Sequence, residues 1–167
     1  MEPADWVVTH TPLIKAGGTI LDLACGRGRH TRYMLEQGFR VMAVDLNLEG
    51  MGDLLIHPSL AVLGADLEEG NWPLGNAEFD GIIVTNYLHR PLFPYILSAL
   101  SPDGVLIYET FMDGNAEHGR PTNPDFLLQS DELPDICKRL EIHAFKQGFE
   151  ENPKPAMKQK IVAINRN

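Results

Sequence analysis

Apolar residues in this chain fall in short blocks that close on an acid or a turn. Ile20, Leu21 and Leu23 make the first block, residues 39–44 the second, ending at Asp45, and residues 60–65 the third, ending at Asp66. Runs of this length bounded by Gly, Pro and Asp predict buried strands. A helix-compatible segment follows the first block and stops at Gly38, a residue suited to a helix C-cap. After Asp45, Leu46, Leu48, Met51, Leu54 and Leu55 recur at roughly helical spacing until His57 and Pro58 end the pattern, so a second helix is expected there. Residues 67–79 are polar and turn-rich and leave room for little helix. Residues 80–84 give a fourth strand running into the polar and aromatic cluster 85–90; residues 91–100 predict a helix, 101–104 a turn and 105–111 a fifth strand. A helix over about 130–139 tolerates Pro134 only near its first turn.

Strand and helix alternate through most of this pattern, which predicts an α/β fold with a parallel sheet whose strand C-termini share one edge. Residues 140–149 and 157–165 both read as strands, yet only residues 150–155 join them, too few for a parallel crossover. They must form an antiparallel hairpin, where a dinucleotide-binding Rossmann domain would place a helix. Before the first strand, Trp6, Val7, Val8, Leu13 and Ile14 predict a short helix and loop laid against it or over its ligand, with Trp6 expected to cover the sheet edge.

Composition narrows the class. At 167 residues and 44% hydrophobic content, the chain carries one sizeable core, so residues 1–167 are expected to form one domain. A net charge of −9 argues against a broad basic face for nucleic acid or anionic membrane. Cys25 and Cys137 lie far apart and form neither a disulfide framework nor a zinc motif. With acidic Glu2 and Asp5 near the start and no apolar run approaching the roughly 20 residues that span a bilayer, the expectation is a soluble cytoplasmic protein. Monomer and homodimer both stay open.

Candidate chemistry gathers at the strand ends. The stretch from Ala24 through Cys25 and Gly26 to Gly28 is a tight turn between strand and helix, where glycine leaves no Cβ between backbone and ligand and the helix N-terminus offers free N–H groups. Asp45 follows about 20 residues later, where an acid accepts hydrogen bonds from both hydroxyls of a ribose. In a parallel sheet Asp22, Asp45 and Asp66 border a single crevice.

The order of these motifs resembles the class I S-adenosylmethionine-dependent methyltransferases, over nearly the whole chain from Ile20 to Asn165. That family has a Rossmann-like three-layer sandwich around a mixed seven-stranded sheet of order 3-2-1-4-5-7-6 with strand 7 antiparallel. Its first motif is an acid and three alternating glycines; Asp22, Gly26 and Gly28 match, and Ala24 stands at the first glycine position. The resemblance implies that Asp22, Ala24, Cys25, Gly26 and Gly28 hold the methionine part of S-adenosylmethionine, released as S-adenosylhomocysteine after transfer. It further implies that Asp45 meets the ribose hydroxyls, that Leu46 also binds the cofactor, that Asp66, with Leu67 beside it, meets adenine, and that Asn86 approaches the sulfonium. The stretch YETFMDGNAEHGRPTNPDFLL is also similar to a bacterial subgroup of small enzymes related to tellurite-resistance and thiopurine-type methyltransferases.

Methyl transfer from a sulfonium is an in-line displacement on an activated donor, so alignment and water exclusion carry much of the catalysis and no metal is required. The six histidines show no H-x-x-x-H spacing, and no metal site is expected. Asn86, Tyr87, His89 and His118 are the candidate catalytic residues; for a hydroxyl or amine acceptor the base is sought among His89, His118, Glu109, Tyr87 and Tyr108. Tyr108, Glu109, Phe111 and Arg120 are expected at the substrate, with Arg120 suited to clamp an anion. Cys25 reads as a small buried filler. A small-molecule acceptor is favoured. An RNA or protein acceptor would need a basic or extended docking surface, and a silent cofactor-binding module would bind without turnover.

Overall fold

The computed structural model describes residues 1–167. Seven strands make one sheet: β1 (Thr19–Leu23), β2 (Arg40–Asp45), β3 (Leu60–Gly64), β4 (Phe79–Thr85), β5 (Leu100–Phe111), β6 (Glu141–Glu150) and β7 (Ala156–Ile164). Their order is β3-β2-β1-β4-β5-β7-β6. The pairs β1–β2, β2–β3, β1–β4 and β4–β5 are parallel, while β7 runs antiparallel to both β5 and β6, as the short connection between the last two strands requires. The strand order reverses between β1 and β4, and a parallel sheet opens a ligand crevice at such a switch point.

Four short helices flank the sheet: α1 (Asp5–His10), α2 (Arg29–Glu36), α3 (Phe93–Ser98) and α4 (Glu132–Ile136). Alternation along each strand divides the core in two. Leu21, Leu23, Ile82, Val84, Leu106 and Ala163 pack with Phe93 and Ile96 of α3 and Leu133 of α4. Ile20, Ile83, Ile107 and Val162 face the other way, against Val7 of α1 and Met34 of α2. Side chains of successive strand residues point to opposite faces, so a fully buried apolar run serves both layers at once.

Several elements depart from the pattern read in the sequence. The helix expected between β2 and β3 is instead a pair of 3-10 turns over Glu49–Ile56, broken at Gly52, whose φ of 53° no right-handed helix accepts. With little cover there, β3 is an edge strand and Val62 is 38% exposed despite its apolar composition. The turn expected over residues 101–104 is absorbed into β5, because a register shift between Phe79 and Gly81 accommodates the extra residues and Asp103 takes a φ of 64°. The helix expected over 130–139 shortens to α4, with Pro134 inside its first turn. Trp6 covers β7, its indole N–H donating to the Ile161 carbonyl at 3.2 Å.

Candidate active site

The turn after β1 is built from three left-handed residues: Ala24 at φ 55°, Gly26 at 57° and Gly28 at 83°. A side chain at Gly26 would meet nothing within 4 Å, so that backbone is open to a ligand; one at Gly28 would strike the Met51 sulfur at 2.6 Å, so Gly28 serves packing against the following segment. Ala24 holds the first glycine position in the same conformation that glycine would take, at a cost of about 1 kcal/mol for its Cβ. The turn is tied to β2: the Cys25 amide donates to the Val44 carbonyl at 3.0 Å and the Gly26 amide to Asp45 Oδ2 at 2.9 Å. Asp45 Oδ1 accepts from the Asn47 amide at 3.0 Å, so the carboxylate is fixed while its remaining lone pairs stay half-exposed. Leu46 beside it is 71% exposed.

Asp22 is placed differently. It is 3% exposed and accepts a 2.6 Å hydrogen bond from the Thr31 hydroxyl, which locks the first turn of α2 onto β1. Burial raises its pKa to about 6, against the lowering effect of Thr31. The bond ties β1 to α2 beneath the glycine turn. Cys25 is buried beside Asp22 and Asp45, and its thiol is pushed up to about 12, chiefly by desolvation, which leaves it an inert filler. Further along, Asp66 is exposed and caps its own turn by accepting from the Glu68 amide at 2.9 Å, with Leu67 packed partly into the core.

The other wall starts at the end of β4. Asn86 is left-handed, with φ 55°, and donates its amide to the Glu109 carbonyl at 2.9 Å. Non-glycine residues in this region store strain and concentrate at functional sites. Tyr87 and Leu88 follow, and with Asn86, Phe111, Pro121 and Phe126 they wall a cavity of about 320 Å³. His89 is half-buried at its rim region, Nδ1 lying 3.6 Å from Glu68 Oε1. Tyr108 lies inside the core at 1% exposed and donates its hydroxyl to the Tyr87 carbonyl at 2.7 Å, so it shapes this turn without opening to the cavity. Burial pushes both tyrosine phenols well above their ordinary range. Glu109 is 2% exposed and pairs with Lys160 Nζ at 3.3 Å, which also binds Glu150 at 2.6 Å.

Not every expected residue gathers there. His118 packs at a tilt against Phe149 of the outermost strand, ring centroids 4.9 Å apart, and Arg120 is exposed with no carboxylate partner. Three residues the sequence reading passed over do sit beside the site. Lys158 Nζ donates to Asn86 Oδ1 at 3.0 Å and lies 5.0 Å from the centre of the Phe111 ring. Lys160 bridges the two glutamates. His30, 3% exposed, accepts from the Ala4 amide through Nε2 at 3.0 Å, and its Nδ1 lies 3.4 Å from the Thr85 hydroxyl, so it ties the N-terminal segment to the end of β4. Burial lowers its pKa to about 4. Strand alternation places Lys158 and Lys160 on one face of β7, but only the pairing of Phe111 with Lys158 and of Glu109 with Lys160 brings that face to the crevice.

A family model described as a methyltransferase domain matches residues 20–104, the part of the chain that contains the glycine turn, Asp45, Asp66 and Asn86. A curated relative, the uncharacterized methyltransferase sll0829 of Synechocystis sp., is 33% identical over 77 residues, which are 46% of this chain and 36% of the relative. The match therefore spans about a third of that relative's length. Among solved structures, TehB from Haemophilus influenzae superposes with a TM-score of 0.76 at 18% identity, covering 96% of this chain and 61% of that one. The 1,6-didemethyltoxoflavin-N1-methyltransferase of Burkholderia thailandensis, solved with 1,6-didemethyltoxoflavin and S-adenosylhomocysteine bound, superposes at 0.73 with 21% identity, covering 97% and 76%. At these identities the likeness is one of fold.

Proposed function

We propose, from the premise that this chain belongs to the methyltransferase domain family, that it transfers the methyl group of S-adenosylmethionine to a small-molecule acceptor. The observation that carries this reading is the Asp45 carboxylate, fixed by the Gly26 and Asn47 amides beside a backbone that nothing covers. A rigid acid at the end of the second strand, facing an open glycine turn, suits a ribose diol. The fit is one of shape and acceptor chemistry: a carboxylate for hydroxyls, open space over the Gly26 backbone, and the left-handed Asn86 at the end of the neighbouring β4.

Asp45 and the glycine turn would hold S-adenosylmethionine, which would supply an electrophilic methyl group to the acceptor's lone pair, its sulfur retaining the pair of the broken carbon–sulfur bond. The chain's own residues orient and exclude water. Asn86 and Tyr87 form the wall between crevice and cavity, and the segment carrying Pro121 and Phe126 covers the cavity from the other side. For a hydroxyl or amine acceptor we take His89, whose Nδ1 lies 3.6 Å from the cavity-lining Glu68, as the base, since Glu109 is engaged with Lys160 and the Tyr108 hydroxyl with the Tyr87 carbonyl. The small-molecule reading draws support from the size of the aromatic-walled cavity and from the net charge of −9, which suits a polyanionic acceptor poorly.

The test is calorimetric titration with S-adenosylhomocysteine. Binding in the micromolar range is expected, and Asp45→Ala should weaken it about tenfold or more, since loss of a hydrogen bond to a charged group costs about 1.5–3 kcal/mol. Absence of binding to the unaltered chain would refute the proposal.

A further inference from the structure

Of the cations near the crevice, Lys160 is satisfied: it is held between Glu109 and Glu150. Lys158, two residues away on the same face of β7, is not. No carboxylate lies within 4.0 Å of its ammonium, and its neighbours are the Asn86 side-chain oxygen at 3.0 Å and the face of the Phe111 ring at 5.0 Å. Those two residues both line the aromatic-walled cavity of about 320 Å³. Lys158 is half-buried, so its ammonium is partly withdrawn from water with no carboxylate beside it, and an anionic ligand would supply the missing partner.

Resting on the methyl-transfer reading, we infer that Lys158 is the acceptor's anchor: it pairs with a carboxylate carried by an aromatic small molecule whose ring lies in the cavity walled by Tyr87, Phe111 and Phe126. Three features converge on this ligand. Tyr87, Leu88, Phe111, Pro121 and Phe126 give the cavity an apolar side that suits a ring, with Glu68, Asn86 and Thr110 completing its lining. Of the charges beside it, the Glu68 carboxylate lies 3.6 Å from His89 Nδ1, while the Lys158 ammonium has no carboxylate within 4.0 Å. An acceptor bringing negative charge offsets both that ammonium and the positive sulfonium of the donor, whereas a cationic acceptor would face two like charges. Desolvation holds the Lys158 pKa below the ordinary lysine value, with Glu109 acting in the opposite sense, and a bound carboxylate would restore it. The ammonium therefore specifies the acceptor, while Asp45 and the glycine turn specify the donor.

The experiment uses the full chain saturated with S-adenosylhomocysteine and titrates two probes, benzoate and benzamide, which share a ring and differ in charge; binding is followed by NMR chemical-shift changes. Benzoate should bind at least fivefold more tightly than benzamide. Lys158→Met should erase that preference, Lys158→Arg should retain most of it, and S-adenosylhomocysteine affinity should change less than twofold in both. Equal affinity for the two probes, or no benzoate binding, overturns the inference using the unaltered chain alone, whatever the folding of the variants. A preference that survives Lys158→Met overturns it as well. A fall in S-adenosylhomocysteine affinity in Lys158→Met overturns it by assigning the ammonium to the donor's own carboxylate. Failure of the unaltered chain to bind S-adenosylhomocysteine would strike the methyl-transfer reading itself and is read out separately.

Discussion

Asp22 and His30 are both buried ionisable groups close to the glycine turn, and burial moves them in opposite directions. Asp22 is raised from 3.8 to about 6, first by desolvation and slightly by Asp45, with Thr31 and Arg29 opposing. Between those values the folded chain holds a proton that the unfolded chain releases, so the Asp22 contribution is present below about 4 and is lost as pH rises through 6. His30 is lowered from 6.5 to about 4 by desolvation, with Arg29 and Lys158 adding to the effect. Here the unfolded chain binds the extra proton, so the contribution is full above 6.5 and is lost as pH falls through 4. The two slopes oppose each other over most of the same window. His30→Gln should therefore expose a stability that falls from pH 4 to 6, and Asp22→Asn a stability that rises over that range. Urea midpoints at several pH values check this, and parallel profiles in the two variants would contradict it. The acid at position 22 was legible from its place inside the first apolar run; its engagement with Thr31 was not, because that bond depends on how α2 docks on β1.

Among the elements, one arginine fastens the far end of the long connection after β5, which backbone pairing of Leu128 with Phe111 and Asp113 also holds. Arg90 pairs with Glu132 through Nε at 2.7 Å and Nη2 at 2.9 Å, and donates to the carbonyls of Leu127 at 2.9 Å and Asp125 at 3.2 Å. It thus pins the far end of the segment that covers the aromatic cavity. Arg90 is 39% exposed on its side chain, so solvent screens the pair, and Arg90→Ala is expected to cost about 1 kcal/mol of global stability. The local effect is larger: amide exchange at Leu127 and Leu128 should accelerate. Lys in place of Arg90 should not restore protection, because an ammonium cannot make the planar two-point contact with Glu132. Unchanged exchange in Arg90→Ala would show that the segment holds itself. Residues 112–126 of this connection are rich in Gly, Asn and Pro, a composition that suits a loop. Its fastening to Arg90 lay outside any local pattern, since Arg90 and Glu132 are 42 positions apart.

On the scale of the whole molecule, one sheet separates two apolar clusters, and Ile82 and Ile83 are adjacent in sequence but buried in opposite ones. Because every central strand contributes to both clusters, the chain is expected to unfold in one transition. Ile82→Ala and Ile83→Ala should each lower stability by about 2–5 kcal/mol, with near- and far-ultraviolet dichroism keeping a common midpoint. Separate transitions would instead indicate two units. The strand sequence, the parallel edge bearing Asp45 and Asp66, and the antiparallel ending were determined by the sequence itself, because they follow from local apolar runs, glycine turns and the shortness of a connection. What only the tertiary structure decided is which polar side chains reach the crevice. Lys158 meets Asn86 across 72 positions of chain through the register of β7 on β5, and His30 meets Ala4 through the docking of α2. Periodicity reports which face a residue occupies, whereas register and helix docking, set by packing of distant segments, decide what that face meets.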